Sequence, residues 1–334
     1  MTLPASASST VPGKKIILLR PRGFCAGVVR AIDVVRIALD LYGAPIYVRK
    51  EIVHNKHVVD ELREAGAIFV EELEEVPSGA RVIFSAHGVS PAVRTQAKER
   101  QLQVIDATCP LVTKVHLEAV KFARKSYTII LIGHKDHDEV IGTLGEAPES
   151  TTLVSNVEDV DRLTVKDPER VSFITQTTLS LDETKDIVER LRERFPKIQG
   201  PAAQDICYAT ENRQVAVRNV AHKAGLVLVV GSTNSSNSNR LVEVSRNLGT
   251  IGYLIENSQA IDPKWLVGVE NVAVTAGASA PEVLVEDVVN YLRQNGFENV
   301  EEVEVMPENV RFGLPPEIVQ AISSAGGSES VPVR

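Results

Sequence analysis

Short apolar runs bounded by turn residues alternate along this chain with longer stretches of helical period. "KIILL" near the N-terminus leads into "VVRAIDVVRIALDLYG", where Val28, Ile32, Val35, Leu39 and Tyr42 step by four, three, four and three residues along one face and Gly43 supplies a stop. The alternation recurs in "RVIFSAHGVSPAV", "IILIGHKDHDEV", "VSFITQTTLSLDET", "LVLVVGSTNSSNSNRL" and "NVAVTAGASAPEV", each an apolar run that ends in a polar turn. Further short strands are predicted at "AIFV", "TTLV" and "GYLIE", making about four strands in each third of the chain. Strands alternating with helices predict an α/β fold of small, mainly parallel sheets.

The turns form an internal repeat. Cys25 is followed by His54 and then His87; Cys109 by His137 and then Thr177; Cys207 by Ser236 and then Ser279. Each third has the same order, cysteine turn, polar turn, polar turn, with the first polar turn 28 or 29 residues after the cysteine and the second 33 to 43 residues further on. All three cysteines are expected in strand-to-helix turns, after "KIILLRPRGF", "QVIDAT" and "AAQDI". Parallel sheets gather ligands at the carboxyl ends of their strands, where all nine turns are expected, so three lobes would aim three thiols and six polar turns at one centre. The predicted organisation is a tail at 1–13, lobes at 14–109, 110–203 and 204–295, and a C-terminal segment and tail at 296–334. Part of that last segment, "EEVEVMPENVRFGLPPEI", is expected to return to the first lobe.

Composition narrows the classes. The 334 residues are 43% hydrophobic and 24% charged, which suits a globular protein with large cores. A net charge of -8 and 4% aromatic residues argue against nucleic-acid partners. The stretch "MTLPASASSTVPGKK" lacks the apolar centre of a signal peptide, and no run approaches the length of a membrane span. The expected address is the cytoplasm, with no membrane partner. Three cysteines in a reducing compartment do not make a disulfide framework.

A free cysteine is commonly a small buried hydrophobe. Three at repeated turns suggest instead a soft metal or an iron-sulfur cluster, and the absence of any CxxC weakens the zinc-ribbon and ferredoxin alternatives. A four-iron cube held by three cysteines keeps one iron open to substrate. Other readings stay open on the residues alone. Cys25 to Arg30 is one residue short of the C-x5-R phosphatase loop, and a Cys/His nucleophile pair is compatible with the spacing but leaves two cysteine turns unexplained. His134, His137 and Glu139 offer a zinc-hydrolase set, while a cluster acting only as Lewis acid, or only as sensor or carrier, accounts for the cysteines without reduction.

"GFCAGV", "VHN", "SAHGVS", "DATCPLV", "GHKDHDEVIGTLGE", "TQTTLS", "DICYATENRQ", "GSTNSSNSNRL" and "TAGASAPE" occur in that order from residue 23 to residue 282. Together they resemble the LytB family, the 4-hydroxy-3-methylbut-2-enyl diphosphate reductases of the methylerythritol phosphate pathway. The resemblance implies a pseudo-threefold trefoil of three α/β lobes around a central [4Fe-4S] cluster, held by Cys25, Cys109 and Cys207 with one open iron. It implies a two-electron reductive dehydroxylation that yields isopentenyl and dimethylallyl diphosphates. Glu139 matches the family's proton donor, with Thr177 orienting or relaying and His137 nearby. His54, His87, His137, Thr177, Ser235, Ser236, Asn237 and Ser279 match the substrate contacts.

Family members often carry proline between the matching histidine and glutamate, where this chain has Asp138. No flavin or nicotinamide fingerprint is present, so electrons are expected from an external ferredoxin or flavodoxin. Plainer readings stand beside these roles. Ser279 with Glu282, like Ser180 with Glu183, has the S-x-x-E form of a capping box, and Glu139 in "DHDEV" reads as an early-helix charge.

Overall fold

The computed structural model describes residues 13–324; the tails expected at 1–13 and at the C-terminus lie largely outside the described residues. The chain begins with β1 (Lys15–Arg20) and α1 (Ala26–Tyr42), then β2 (Ile46–Arg49), α2 (Lys56–Glu64), β3 (Ala67–Val70), β4 (Arg81–Phe84), α3 (Pro91–Glu99) and β5 (Gln103–Asp106). Its middle third holds α4 (Pro110–Arg124), β6 (Thr128–Ile132), α5 (Asp138–Glu146), β7 (Thr151–Val154), α6 (Val157–Arg162), β8 (Val171–Thr175) and α7 (Leu181–Arg194). The last third runs through α8 (Tyr208–Val220), β9 (Leu226–Val230), α9 (Ser236–Asn247), β10 (Gly252–Ile255), β11 (Asn271–Ala276), α10 (Glu282–Gln294), β12 (Asn299–Glu304) and α11 (Pro316–Ser324).

These strands make three separate sheets, ordered β3-β2-β4-β5, β7-β6-β8 and β10-β9-β11-β1-β12, and every strand pair is parallel. The helical face read in α1 is the one that packs. Val28, Ile32 and Val35 are buried in the first lobe's core, with Leu39 and Tyr42 at its edge, and Gly43 ends the helix at φ 75°, where glycine alone is unstrained. No described helix is long and apolar enough to cross a membrane.

The expected boundaries need two corrections. β1, assigned above to the first lobe, lies in the third sheet, with Ile16 opposite Val272 and Val300. The strand before a cysteine pairs with the strand that leads into the previous lobe's second polar turn: β5 lies beside β4, and β1 beside β11. α1 then crosses into the first lobe, so the chain's first strand and first helix serve different cores. Cys207 has no preceding strand. Before it, backbone pairing to the second sheet is limited to a bridge from Gln199 to Ser172, and the loop is fixed instead by the buried Asp205 carboxylate, which accepts from Thr175 N–H of β8 at 2.9 Å.

The C-terminal segment divides. β12 extends the third sheet along the whole length of β1, whereas α11 returns to the first lobe and buries Ile318 and Ile322 in its core.

Candidate active site

Each cysteine sits at the N-cap of a helix: Cys25 before α1, Cys109 before α4 and Cys207 before α8. Their backbone N–H groups are held in a matching way. Cys25 donates to Ala278 O at 3.1 Å, Cys109 to Ala86 O at 3.0 Å and Cys207 to Thr177 O at 3.0 Å, so each cysteine is tied to the second polar turn of the lobe before it. The repeat read from the sequence is therefore a repeat of hydrogen bonds.

All three thiols are free, and they converge. A carbon at the Cβ position of Gly27 would lie 2.7 Å from Cys109 Sγ and 3.9 Å from Cys25 Sγ, so the glycine is needed because a sulfur from the next helix fills that space. Thr210 donates its N–H to Cys207 Sγ at 3.4 Å, and its hydroxyl lies 3.2 Å from the same sulfur. Burial, reinforced by Cys25, pushes the Cys109 thiol up to about 12 and the Cys207 thiol up to about 11. Three soft donors on three rigid helix ends, beside a glycine hollow, fit a thiolate-held iron-sulfur group.

Every residue matched to the LytB-type site lines one cavity of about 100 Å³: Cys25, Cys109, Cys207, His54, His87, His137, Glu139, Thr177, Ser235, Ser236, Asn237 and Ser279. Val28, Val53, Ala86, Leu111 and Val112 add apolar walls. Glu139 is 2% exposed, and Thr177 clamps its carboxylate, donating N–H to Oε1 at 2.6 Å and hydroxyl to Oε2 at 3.0 Å. Burial outweighs both bonds and pushes the Glu139 carboxyl up to about 7. Glu139 does stand in the first turn of α5, as the plain reading has it, but it is buried and clamped and is not a solvated charge.

Three imidazoles meet across the cavity. His54 and His87 stack with centroids 4.0 Å apart, and His137 meets them edge-on at 5.3 and 6.0 Å. Burial, then the neighbouring rings, lowers His87 well below its usual range and His137 to about 3, so both are neutral at pH 7. His137 Nδ1 accepts from Glu139 N–H at 3.2 Å, which places its proton on Nε2.

The third lobe's hydroxyls bind across lobe boundaries. Ser279 donates to His54 O at 2.8 Å and Ser236 to Thr178 O at 3.1 Å, while Ser235 caps α9 by accepting from Ser238 N–H. Asn237 accepts from Ala278 N–H at 2.9 Å and donates to Thr210 Oγ1 at 3.2 Å, which leaves one amide hydrogen for a ligand. The capping-box reading of Ser279 fails: α10 starts at Glu282 with Pro281 as N-cap, and Glu282 pairs with Arg22. Ser180 does cap α7 through Glu183 N–H. The zinc set does not assemble either. His134 turns to Gln176 Oε1 and lies outside the cavity that holds Glu139.

The LytB protein family matches residues 16–293 of the chain. The chain belongs to the LytB family. Its relatives include the 4-hydroxy-3-methylbut-2-enyl diphosphate reductases of Acidothermus cellulolyticus, 55% identical over 95% of this chain and 93% of that one, and of Glaesserella parasuis, 58% identical over 91% and 98%. The fold superposes on a solved structure of the E-1-hydroxy-2-methyl-but-2-enyl-4-diphosphate reductase from Plasmodium falciparum with a TM-score of 0.92 and 42% identity, covering 94% of this chain and all of that one.

Within this LytB chain, two further positions support the cavity's residues beyond the sequence reading. Glu51 was missed: its Oε2 lies 3.2 Å from His54 Nδ1 and accepts from Asn234 at 2.8 Å, so it fixes the ring and leaves Nε2 toward the cavity. The i,i+3 spacing in "EIVH" was the available signal. Thr210, against Cys207 and Asn237, had none. Asp138 stands at the first position of α5, and its carboxylate comes within 4.8 Å of the His54 and His87 nitrogens.

Proposed function

We propose that the protein reduces (E)-4-hydroxy-3-methylbut-2-enyl diphosphate to isopentenyl diphosphate and dimethylallyl diphosphate, the terminal step of the non-mevalonate route to isoprenoids. Two electrons and two protons enter, the allylic C–O bond breaks, and water leaves. The observation that carries this reading is the one cavity in which three thiols, a buried acid poised near neutrality and a ring of imidazole and hydroxyl donors meet.

Cys25, Cys109 and Cys207 hold a [4Fe-4S] cluster with one iron free of protein ligands. When bound, the cluster supplies electrons and a Lewis-acidic iron. Because the Cys109 and Cys207 thiols are protonated in the empty protein, loading the cluster releases protons. An external ferredoxin or flavodoxin delivers the electrons.

The remaining steps belong to the chain's own groups. His54, His87 and His137 with Ser235, Ser236, Asn237 and Ser279 cradle the diphosphate. A diphosphate beside the neutral His87 and His137 rings raises their proton affinity, so binding draws protons into the site. Glu139, whose carboxyl is pushed up to about 7 by burial and so keeps a proton close to neutral pH, gives that proton to the departing hydroxyl. Thr177 holds both carboxylate oxygens and thereby aims the acid. The apolar walls exclude bulk water, which keeps the delivered proton at the reacting oxygen.

The test is anaerobic purification with iron, sulfide and zinc analysis, followed by reduction of the hydroxylated diphosphate with a chemical reductant. About four iron and four sulfide per chain with prenyl diphosphates formed support the reductase. Zinc without sulfide overturns the cluster, and a full cluster with no prenyl product overturns the reaction.

A further inference from the structure

A cation lies about a turn and a half into each cysteine helix and reaches the backbone just ahead of the next cysteine. Arg30 of α1 donates to Thr108 O at 3.0 Å, immediately before Cys109. Lys114 of α4 donates to Ala203 O at 2.6 Å, Gln204 O at 3.0 Å and Asp205 Oδ1 at 2.9 Å, in the loop that ends on Cys207. Arg213 of α8 donates to Gly23 O at 2.6 Å, two residues before Cys25. The contacts run from first helix to second turn, second to third and third to first, and so close a circle.

Burying a cation is unfavourable unless its donors are used. Arg213 is 0% exposed and is matched by Glu308, which it reaches at 3.1 Å. Lys114 is matched by Asp205. Arg30, 8% exposed, has no carboxylate at ion-pair distance among the described residues; it spends its donors on Thr108 O and, at 2.7 Å, on Gly313 O. Two of the three cations therefore also hold the C-terminal segment, through Gly313 and Glu308. The C-x4-R string around Cys25 serves this circle and not a phosphatase loop.

We propose that Arg30, Lys114 and Arg213 are positioning residues, a closed brace that sets the separation of the three cysteine turns for a shared cluster. The proposal rests on the three-thiolate reading above. The brace acts through peptide carbonyls and touches no sulfur, so its loss loosens the sulfur triangle while the lobes stay folded.

The experiment measures iron release from anaerobically purified holoprotein challenged with a chelator, with melting temperature measured alongside. Lys114→Met, Arg30→Gln and Arg213→Gln are expected to release iron about tenfold faster than the parent, as loss of outer-sphere support does at other metal sites, and Lys114→Arg restores retention. Arg100→Gln is the control, because Arg100 also donates to backbone carbonyls, those of Glu74 and Val76, away from the cysteines; it is expected to keep the parent's rate. Should Arg213→Gln fail to fold, Lys114→Met carries the test, since the Lys114 side chain already reaches solvent. Iron release at the parent's rate from folded brace variants, or equal release from Arg100→Gln, overturns the brace alone. A parent protein that never holds iron and sulfide overturns the cluster reading and the brace with it.

Discussion

The second and third lobes present nearly the same backbone to the cavity and equip it differently. Glu139 stands two residues past the N-cap of α5, and Asn237 two residues past the N-cap of α9. Both turn inward, and both accept an N–H from the second polar turn of their lobe: Glu139 from Thr177 at 2.6 Å, Asn237 from Ala278 at 2.9 Å. The amide is neutral and braces Thr210 beside Cys207; the carboxyl in the same place is pushed up to about 7 by burial. One frame thus carries a neutral amide in one lobe and, on a side chain one methylene longer, a buried carboxyl raised toward neutrality in the other.

Glu139→Gln makes the second lobe resemble the third and has the largest expected effect. We expect turnover to fall by roughly 10²–10⁴ with iron content unchanged, measured under a chemical reductant at saturating substrate. Unchanged turnover would remove Glu139 from the reaction. Asn237→Asp makes the reverse exchange. A carboxylate there faces the diphosphate, so KM is expected to rise about tenfold with a smaller change in kcat, the signature of weakened ground-state binding; a lower KM would place the diphosphate elsewhere.

Thr177→Val keeps the backbone bond to Glu139 but removes the hydroxyl bond that favours the charged form. The Glu139 carboxyl then rises further, and the alkaline fall in kcat moves to higher pH by about half a unit. A shift to lower pH contradicts the clamp. The smallest effect is expected from Asp138→Pro. Proline suits the first position of a helix, and the exchange removes a negative charge near His54 and His87. KM should fall by about two- to threefold, with kcat nearly unchanged; an increase in KM would mean that Asp138 assists binding.

The repeat was legible because its three cysteine turns and six polar turns recur in one order, with 28 or 29 residues from each cysteine to its first polar turn, and each of those residues reaches the shared cavity. Strand partners were less legible. An apolar run such as "KIILL" specifies a strand but not its neighbour, and β1 leads into Cys25 of the first lobe while pairing with β11, over two hundred residues away. "AAQDI" reads as the third member of a series, yet side-chain bonds from Asp205 replace the strand there. Ser279 and Ser180 share one local pattern and differ in use, because only Ser279 has His54 O within reach. Local sequence records the capping chemistry available; tertiary contacts decide which option is taken.

The most direct test of the donor assignment is kcat against pH for the wild-type protein beside Glu139→Gln. The account predicts that wild-type kcat falls about tenfold per pH unit above about 7, as the buried carboxyl loses its proton, and that the variant's much lower kcat shows no such limb. A wild-type profile flat from pH 6 to 9, or the same limb in Glu139→Gln, would contradict it.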